Sequence, residues 1–333
     1  MTQTRVAVVT GASAGVGRAT AVSFAEQGFD VALLARGSAG LDAAAKEVER
    51  AGGRPFPLPV DVASFDEIDR AAKAVEIELG PIDVWVNNAM ATAFSPFTEI
   101  SPEDFERAIA VTFLGQVWGT KAALELMLPR DEGTIVNVGS ALAFIGIPLQ
   151  SPYCAAKFAC RGFAESVRSE LLHIDSNVRL CVVHLPAVNT PQFDWAKNEL
   201  DRRPMPVPPI YQPEYIATRI TGAALDGETE VIIGAWNKML VGVAKLSHAL
   251  ANNFAAISAW DGQLTGEPSS GSEEGNLHTA ADATADYGAH GRFDACAHGF
   301  FDPSFLRSLP KVARQFTRAA RETLTPGSRS GHS

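Results

Sequence analysis

The chain has 333 residues, of which 46% are hydrophobic and 20% charged, and its formal net charge is -10 at pH 7. This composition allows one large α/β domain or two smaller ones, and the acidic balance argues against a nucleic-acid-binding body. No uninterrupted apolar run approaches the roughly 20 residues that a membrane span needs. The first strand begins near Arg5, which leaves no room for a cleavable signal sequence. The four cysteines show no close pairing pattern, so we expect reduced thiols and a cytoplasmic location.

The first predicted strand, residues 6–9, runs into a glycine-rich turn and then into a helical pattern from Arg18. Gly11, Gly15 and Gly17 have the spacing G-x-x-x-G-x-G, which differs from the general dinucleotide fingerprint G-x-G-x-x-G. Glycines permit a tight turn, and a helix N-terminus presents N–H groups and partial positive charge to an anion. The triplet alone is a weak signal, but its place after the first strand indicates a phosphate-binding turn.

Strand and helix patterns then alternate along the chain. Further apolar runs predict strands at residues 31–35, 55–60, 84–86, 134–138, 178–184 and 230–233, separated by helices at 41–51, 65–79, 102–127 and 151–173. Near-continuous apolar strands separated by helices imply a parallel sheet covered on both faces. The predicted fold is therefore a doubly wound α/β fold with a seven-stranded parallel sheet, whose ligands lie at the carboxyl ends of the strands.

The pattern changes after Gly234. Residues 236–260 carry apolar side chains at steps of three and four, which predicts one amphipathic helix. Residues 261–286 have the composition of a flexible acidic loop, and residues 305–324 predict a helix with one basic face. We therefore expect a catalytic domain at residues 1–235, which binds cofactor and substrate. In the C-terminal extension at residues 236–333, the apolar stripe would pack on this protein or on its twin, and the basic helix would be solvated or docked on this protein. The alternatives are a partner for the basic helix and an anionic membrane surface for either helix.

Three residues form the sharpest chemical constellation. Ser140 follows the fifth predicted strand, while Tyr153 and Lys157 lie four apart on a helix and share one face. A nearby lysine cation favours the phenolate and lowers a tyrosine pKa from about 10, so that the pair can exchange a proton near neutral pH. A serine hydroxyl can hydrogen-bond a carbonyl oxygen as charge develops on it. A Tyr-x-x-x-Lys pair is usually only a surface pair, but the glycine turn and Ser140 favour an active site.

These motifs, together with Asp61 and Asn87-Asn88-Ala89 in matching order and spacing, resemble those of the short-chain dehydrogenase/reductase family over residues 4–235. The resemblance implies that Tyr153 is the general acid/base, that Lys157 lowers its pKa and holds the nicotinamide ribose, and that Ser140 polarises the carbonyl. It also implies a homodimer or homotetramer, and it places Asn87 and residues 186–190 along the cofactor. The implied cofactor-binding residues are Gly11, Ser13, Ala14, Gly15, Val16, Gly17, Arg36, Asp61, Val62, Asn88, Ala89, Tyr153, Lys157, Pro186, Val188 and Thr190.

Three positions depart from the family's pattern. Thr112 stands where the family has an active-site asparagine that holds a proton-relaying water, and a threonine hydroxyl is shorter. Met90 and Ala187 each stand in place of a glycine. We interpret all three as neutral changes in a working enzyme and keep Thr112 among the catalytic candidates. The alternative for Thr112 is a weakened or redirected activity.

Arg36 ends the second strand, where an acid would bind the ribose 2′-hydroxyl of NAD. The planar guanidinium of Arg36 can pair with a 2′-phosphate, so the sequence predicts NADP(H) in preference to NAD(H). The alternative is that Arg36 is a solvated loop charge. Residues 141–149 are nearly all apolar, and aromatic residues occur in loops expected over the pocket, namely Phe94, Phe97, Phe193 and Trp195. This lining favours a hydrophobic ketone or alcohol as substrate.

The sequence thus predicts an NADP(H)-dependent carbonyl reductase or alcohol dehydrogenase, acting on a small molecule and without a metal. A low-turnover cofactor-binding scaffold or redox sensor is the alternative, suggested by Thr112 and the C-terminal extension. An enoyl reductase fits less well, because that related group spaces its tyrosine and lysine more widely. His184 is interpreted as a core histidine. The set His290, Asp294, Cys296 and His298 lacks a recognised metal-ligand spacing.

Overall fold

The computed structural model describes residues 4–271, 275–298 and 303–324. Within these residues, seven parallel strands form a central sheet in the order β7-β6-β5-β4-β1-β2-β3. The strands are β1 (Arg5–Thr10), β2 (Phe29–Ala35), β3 (Pro55–Pro59), β4 (Ile82–Asn87), β5 (Thr134–Ser140), β6 (Arg179–Leu185) and β7 (Glu230–Ile232). The predicted doubly wound parallel sheet is confirmed.

Helices cover both faces of this sheet and bury an apolar core on each side. One core joins the sheet to α1 (Gly15–Glu26), α2 (Ser38–Arg50) and α7 (Pro213–Asp226). The other core joins the sheet to α3 (Phe65–Glu78), α5 (Gly115–Met127) and α6 (Ser151–His173). The helix predicted over residues 102–127 is in fact α4 (Pro102–Ile109), a π-helical segment (Ala110–Leu114) and α5. Short 3₁₀ turns lie at Leu128–Arg130 and Ala141–Ala143, and one helical turn lies at Gln192–Trp195.

The neighbours β1 and β4 mark the point where the strand order reverses, and a crevice opens there at the carboxyl ends of the strands. The glycine turn lies in this crevice. Gly11 and Gly15 have φ of +65° and +57°, a left-handed backbone that favours glycine. A Cβ on Gly17 would lie 2.1 Å from the Gly11 carbonyl oxygen, so only glycine lets α1 pack this closely against the turn.

The chain beyond β7 adds α8 (Ala235–Leu246), α9 (His248–Gly262) and α10 (Pro303–Leu324). The single helix predicted over residues 236–260 is broken at Ser247, whose backbone is extended and whose hydroxyl caps α9 by accepting from the Leu250 N–H at 3.3 Å. No helix among the described residues combines the length and the hydropathy that crossing a bilayer requires.

Small strands fasten loops of the body to one another and to the C-terminal residues. Leu264–Pro268, within the segment predicted as a loop, pairs antiparallel with Arg202–Pro204. Ile210–Tyr211 lies between Ala187–Val188 and Ala297–His298, and Ala93–Phe94 pairs with Lys197–Asn198. Residues 264–268 and 297–298 therefore pair with the loop that follows β6, at the same end of the sheet as the crevice.

Candidate active site and cofactor cavity

A cavity of about 530 Å³ lies at the carboxyl ends of the strands. Its wall extends from Arg36 and Asp61, past the glycine turn, to Tyr153, and then to Trp236 and Phe254. All the implied cofactor-binding residues line the cavity except Gly17. Gly17 instead allows α1 to pack closely against the glycine turn. Of the catalytic candidates, Ser140, Tyr153 and Lys157 line the cavity and Thr112 does not. The structure thus brings the glycine turn and the Ser-Tyr-Lys set into one cavity.

The three catalytic candidates are held by β5 and by the first turns of α6. Ser140 is the last residue of β5, and its hydroxyl accepts a hydrogen bond from the Leu142 N–H at 3.1 Å. Tyr153 is partly accessible at the cavity wall. Lys157, one turn later, is only 2% exposed, and its Nζ donates to the Val138 carbonyl at 2.7 Å. That Nζ lies 5.6 Å from the centroid of the Tyr153 ring, so a cation flanks the phenol.

Burial dominates the acid–base properties of this set. Burial raises the pKa of Tyr153, and the charges of Cys154 and Cys160 raise it further. A hydrogen bond with Ser140 offsets only part of this rise. Burial also lowers the pKa of Lys157. The pKa of Tyr153 is therefore raised, which is the opposite of the lowering by Lys157 expected from the sequence. A raised pKa keeps the phenol protonated, which is the form that can give a proton to an alkoxide.

Two residues expected along the active site are engaged elsewhere. Thr112 lies in the π-helical segment, fully buried, and its hydroxyl accepts from the Ala91 N–H at 2.9 Å and donates to the Ala91 carbonyl at 2.8 Å. Asn87 is buried among the strands and does not line the cavity. Its neighbour Asn88 does so, and the Asn88 amide donates to the Thr10 carbonyl at 3.0 Å, which joins β4 to the glycine turn.

Arg36 lines the far end of the cavity from Tyr153, and a second guanidinium group, that of Arg107, lies close enough to interact with it without lining the cavity. Arg36 donates to the backbone carbonyls of residues 276–278, with 3.0 Å to that of His278. Arg107 pairs with Asp61 at 2.6 Å. Burial, and then the charge of Arg107, lower the pKa of Arg36. Arg36 is therefore a half-buried cation at the cavity wall and not a solvated loop charge.

The other end of the cavity is apolar. Three of the aromatic residues expected over the pocket line it, whereas Phe97 is 68% exposed and lies outside. The proline-rich stretch at residues 203–213, which the sequence predicts as part of a substrate lid, lines the cavity at residues 205–209, and α8 and α9 form a further wall that sequence reasoning missed. The apolar side chains of these two parts include Met205, Trp236, Leu240 and Phe254. The apolar stripe of residues 236–260 was the available signal, but the stripe does not reveal which surface it covers.

Two weaker candidates have structural partners. His290 is hydrogen-bonded to Asp294 and to Glu214, each at 2.7 Å, and the described residues contain no cluster of His, Cys, Asp and Glu that could hold a metal ion. His184 is fully buried between the Ser140 carbonyl at 3.2 Å and the Glu230 carboxylate at 3.1 Å. His184 therefore contacts the carboxyl end of β5 from the neighbouring strand β6.

A family model described as short chain dehydrogenase matches residues 5–200, more than half of the chain. The chain belongs to the short-chain dehydrogenase/reductase family. The resemblance seen in the motifs is confirmed. An uncharacterized oxidoreductase of Bacillus subtilis, YxnA, is 32% identical over 288 residues, which cover 86% of this chain and 81% of that protein.

Solved structures of the family share the fold. A Burkholderia phymatum short-chain dehydrogenase/reductase in complex with NAD has a TM-score of 0.67 and 22% identity, covering 74% of this chain and 95% of that one. A metagenomic short-chain oxidoreductase in complex with NADP has a TM-score of 0.59 and 27% identity, covering 69% and 96% of the two chains. The chain is thus a member of a family of NAD(P)-dependent oxidoreductases. Of these two solved structures, the first holds NAD and the second holds NADP.

Proposed function

We propose that the protein is an NADP(H)-dependent oxidoreductase that interconverts a ketone or aldehyde with the corresponding alcohol. The observation that carries this proposal is the convergence of Ser140, Tyr153 and Lys157 in the cavity that the glycine turn also lines. When bound, the nicotinamide supplies or accepts the hydride at the carbonyl carbon. The catalytic domain is residues 1–235, and described residues of the extension at 236–333, among them Trp236 and Phe254, complete the wall of its cavity.

The residues present fit a dinucleotide. The first turn of α1 has no side-chain cap, so its N-terminal dipole favours an anionic group beside Gly11, Ser13 and Val16. The adenosine end would lie against Arg36, Asp61 and Val62. The nicotinamide end would lie near Lys157 and residues 186–190, all within the same cavity.

The proposed chemistry divides the work between three side chains. Tyr153, kept protonated by its raised pKa, gives its proton to the carbonyl oxygen during reduction. The Ser140 hydroxyl, oriented by the Leu142 N–H, donates a hydrogen bond to that oxygen as negative charge develops on it. Lys157, fixed by the Val138 carbonyl, places positive charge beside the phenol and stabilises the phenolate that results.

The preference for NADP(H) rests on charge at the adenosine end. Arg36 and Arg107 bring two cations close together, and burial first and then the charge of Arg107 lower the pKa of the half-buried Arg36. An added 2′-phosphate would relieve this repulsion and could accept from the unused N–H groups of the Arg36 fork.

The substrate side favours a bulky hydrophobic ketone or secondary alcohol. Beyond Tyr153 the cavity is walled by Phe193, Trp236, Phe254 and residues 205–209. Binding such a substrate removes apolar surface from water on both partners. A cytoplasmic location and assembly as a homodimer or homotetramer stay predictions from the family resemblance.

The test is a panel of hydrophobic ketones with NADPH and NADH in competition. We expect NADPH to be oxidised preferentially, and we expect Tyr153→Phe to lower kcat by about 10²–10⁴-fold, because the proton donor is lost. NADPH binding, followed by its fluorescence, should remain. Tyr215→Phe is the matched control, since Tyr215 stacks on Tyr211 and does not line the cavity. Full activity of Tyr153→Phe would contradict the mechanism, and binding without turnover across the panel would favour the scaffold function.

A further inference from the structure

Residues 275–298, named here the C-terminal clasp, lie across the glycine turn and the end of β2. The Gly15 N–H donates to the Gly288 carbonyl at 3.2 Å, and the Gly40 N–H donates to the Asp282 carbonyl at 3.2 Å. Arg18, only 3% exposed, pairs with Asp286. The clasp is therefore fastened to both helices that begin at the adenosine end of the cavity.

One carboxylate of the clasp lies at this end of the cavity. Asp282 lines the cavity and is 6% exposed, and its Oδ2 has no hydrogen-bond partner among the described residues. The carboxylate occupies space that two glycines leave free. A Cβ on Gly37 would lie 1.8 Å from Asp282 Oδ1, and a Cβ on Gly40 would lie 2.6 Å from Oδ2 and 2.9 Å from the Ser13 Cβ. The carboxylate is thus seated between the end of β2 and the glycine turn.

A buried carboxylate oxygen without a donor is unfavourable, so the free Oδ2 favours a ligand that brings hydroxyl groups. In dinucleotide-binding folds an acid near the end of the second strand accepts from the adenosine ribose and disfavours a 2′-phosphate. Here β2 ends at Ala35 and is followed by Arg36, without an acid. Asp282 brings the carboxylate to this place from the other end of the chain.

We propose that Asp282 is the acceptor for the adenosine-ribose hydroxyls and that it sets cofactor choice in opposition to Arg36. Arg36 attracts a 2′-phosphate, and Asp282 repels it. The ratio of NADP to NAD affinity then reflects the balance of these two charges. This proposal rests on the proposed cofactor site and adds a specificity-determining residue to it.

The test measures binding without turnover. Calorimetry on the full-length protein gives the dissociation constants of 5′-AMP and of adenosine 2′,5′-bisphosphate, which differ only in the 2′-phosphate. We expect Asp282→Asn to shift the affinity ratio toward the bisphosphate by about tenfold or more, because a like charge is removed. Arg36→Ala should shift the ratio in the opposite direction. Asp282→Ser is a second variant that removes the charge, and thermal melting verifies that each variant is folded.

Asp286→Asn is the matched control, because Asp286 holds the clasp through Arg18 but does not line the cavity. It should weaken both nucleotides alike and leave their ratio unchanged. An unchanged ratio in both Asp282 variants, or an equal shift in Asp286→Asn, would overturn the role of Asp282 while leaving the proposed oxidoreductase function intact. Failure of both nucleotides to bind the unaltered protein would overturn the cofactor site itself.

Discussion

At the scale of single residues, Thr112 shows how a position can depart from its family's pattern and still have a defined place. Its hydroxyl makes two hydrogen bonds to the backbone of Ala91, in a region fully shielded from water. It thereby fixes the loop that follows β4, and Met90 of that loop lines the cavity. Its contribution in the structure is to the position of the cavity wall.

Replacing Thr112 by valine keeps the shape of the side chain but removes the hydroxyl. Because the Ala91 N–H and carbonyl would both lose a buried partner, we expect the free energy of unfolding to fall by about 2 kcal/mol. Urea denaturation measures this, and Thr112→Ser, which keeps the hydroxyl, is the control. Equal stability of the valine and serine variants would show that these two bonds do not stabilise the fold.

At the scale of elements, the edge pair β6 and β7 is joined by a partly buried contact beside the end of β5. The Glu230 carboxylate at the start of β7 is hydrogen-bonded to His184 on β6, which in turn contacts the Ser140 carbonyl. The hydrogen bond with His184 lowers the pKa of Glu230 to about 2, well below its ordinary value. Ionised Glu230 therefore stabilises the native sheet.

This linkage predicts a pH dependence. Since the folded pKa is depressed, the stabilisation is present above the unfolded pKa of about 4.3 and is lost as the pH falls toward 2. Glu230 is 35% exposed, so solvent screening reduces the effect of Glu230→Gln at pH 7 to about 1–2 kcal/mol. Denaturation of the unaltered protein and of Glu230→Gln between pH 2 and 7 should show that the difference in their free energies of unfolding vanishes in acid. Glu228→Gln, next to the same strand, should show no such trend.

At the scale of the whole molecule, the C-terminal helices close the apolar end of the cavity. Phe254 of α9 lines the cavity and stacks on Phe316 of α10, with ring centroids 4.0 Å apart. Trp236 packs edge-on against the same Phe316 ring at 6.3 Å. The Asn253 amide adds a hydrogen bond to Thr323 at 2.9 Å. Phe316 thus supports the cavity wall from outside without lining it.

Phe316→Ala removes this support. We expect KM to rise several-fold for bulky hydrophobic substrates and to change little for a small ketone, because only the former need the wall in place. Limited trypsin digestion should also cleave α10 faster at Arg314 or Arg318, which are exposed. Phe65→Ala, which removes an aromatic contact with Trp118 on the far side of the sheet, is the control. Unchanged KM and unchanged proteolysis would show that α10 does not support the wall.

Periodicity and short-range spacing determine a large part of this protein. The strands follow from runs of apolar residues, and the turn at Gly11 and Gly15 follows from the need for a left-handed backbone. Tyr153 and Lys157 share a face because four residues make about one helical turn. These features depend mainly on residues close in sequence, so the sequence by itself was sufficient to predict the family and the sheet and to propose the Ser-Tyr-Lys set.

Only the tertiary structure decided what surrounds these residues. It brought Asp282 to the end of β2, placed Arg36 against the carbonyls of residues 276–278, and laid Phe254 along the cavity. It also turned the Thr112 hydroxyl toward Ala91. Contacts between residues far apart in sequence leave no period or fixed spacing, because they arise from the packing of complete elements and loops. The clasp and the walls of the cavity are of this kind.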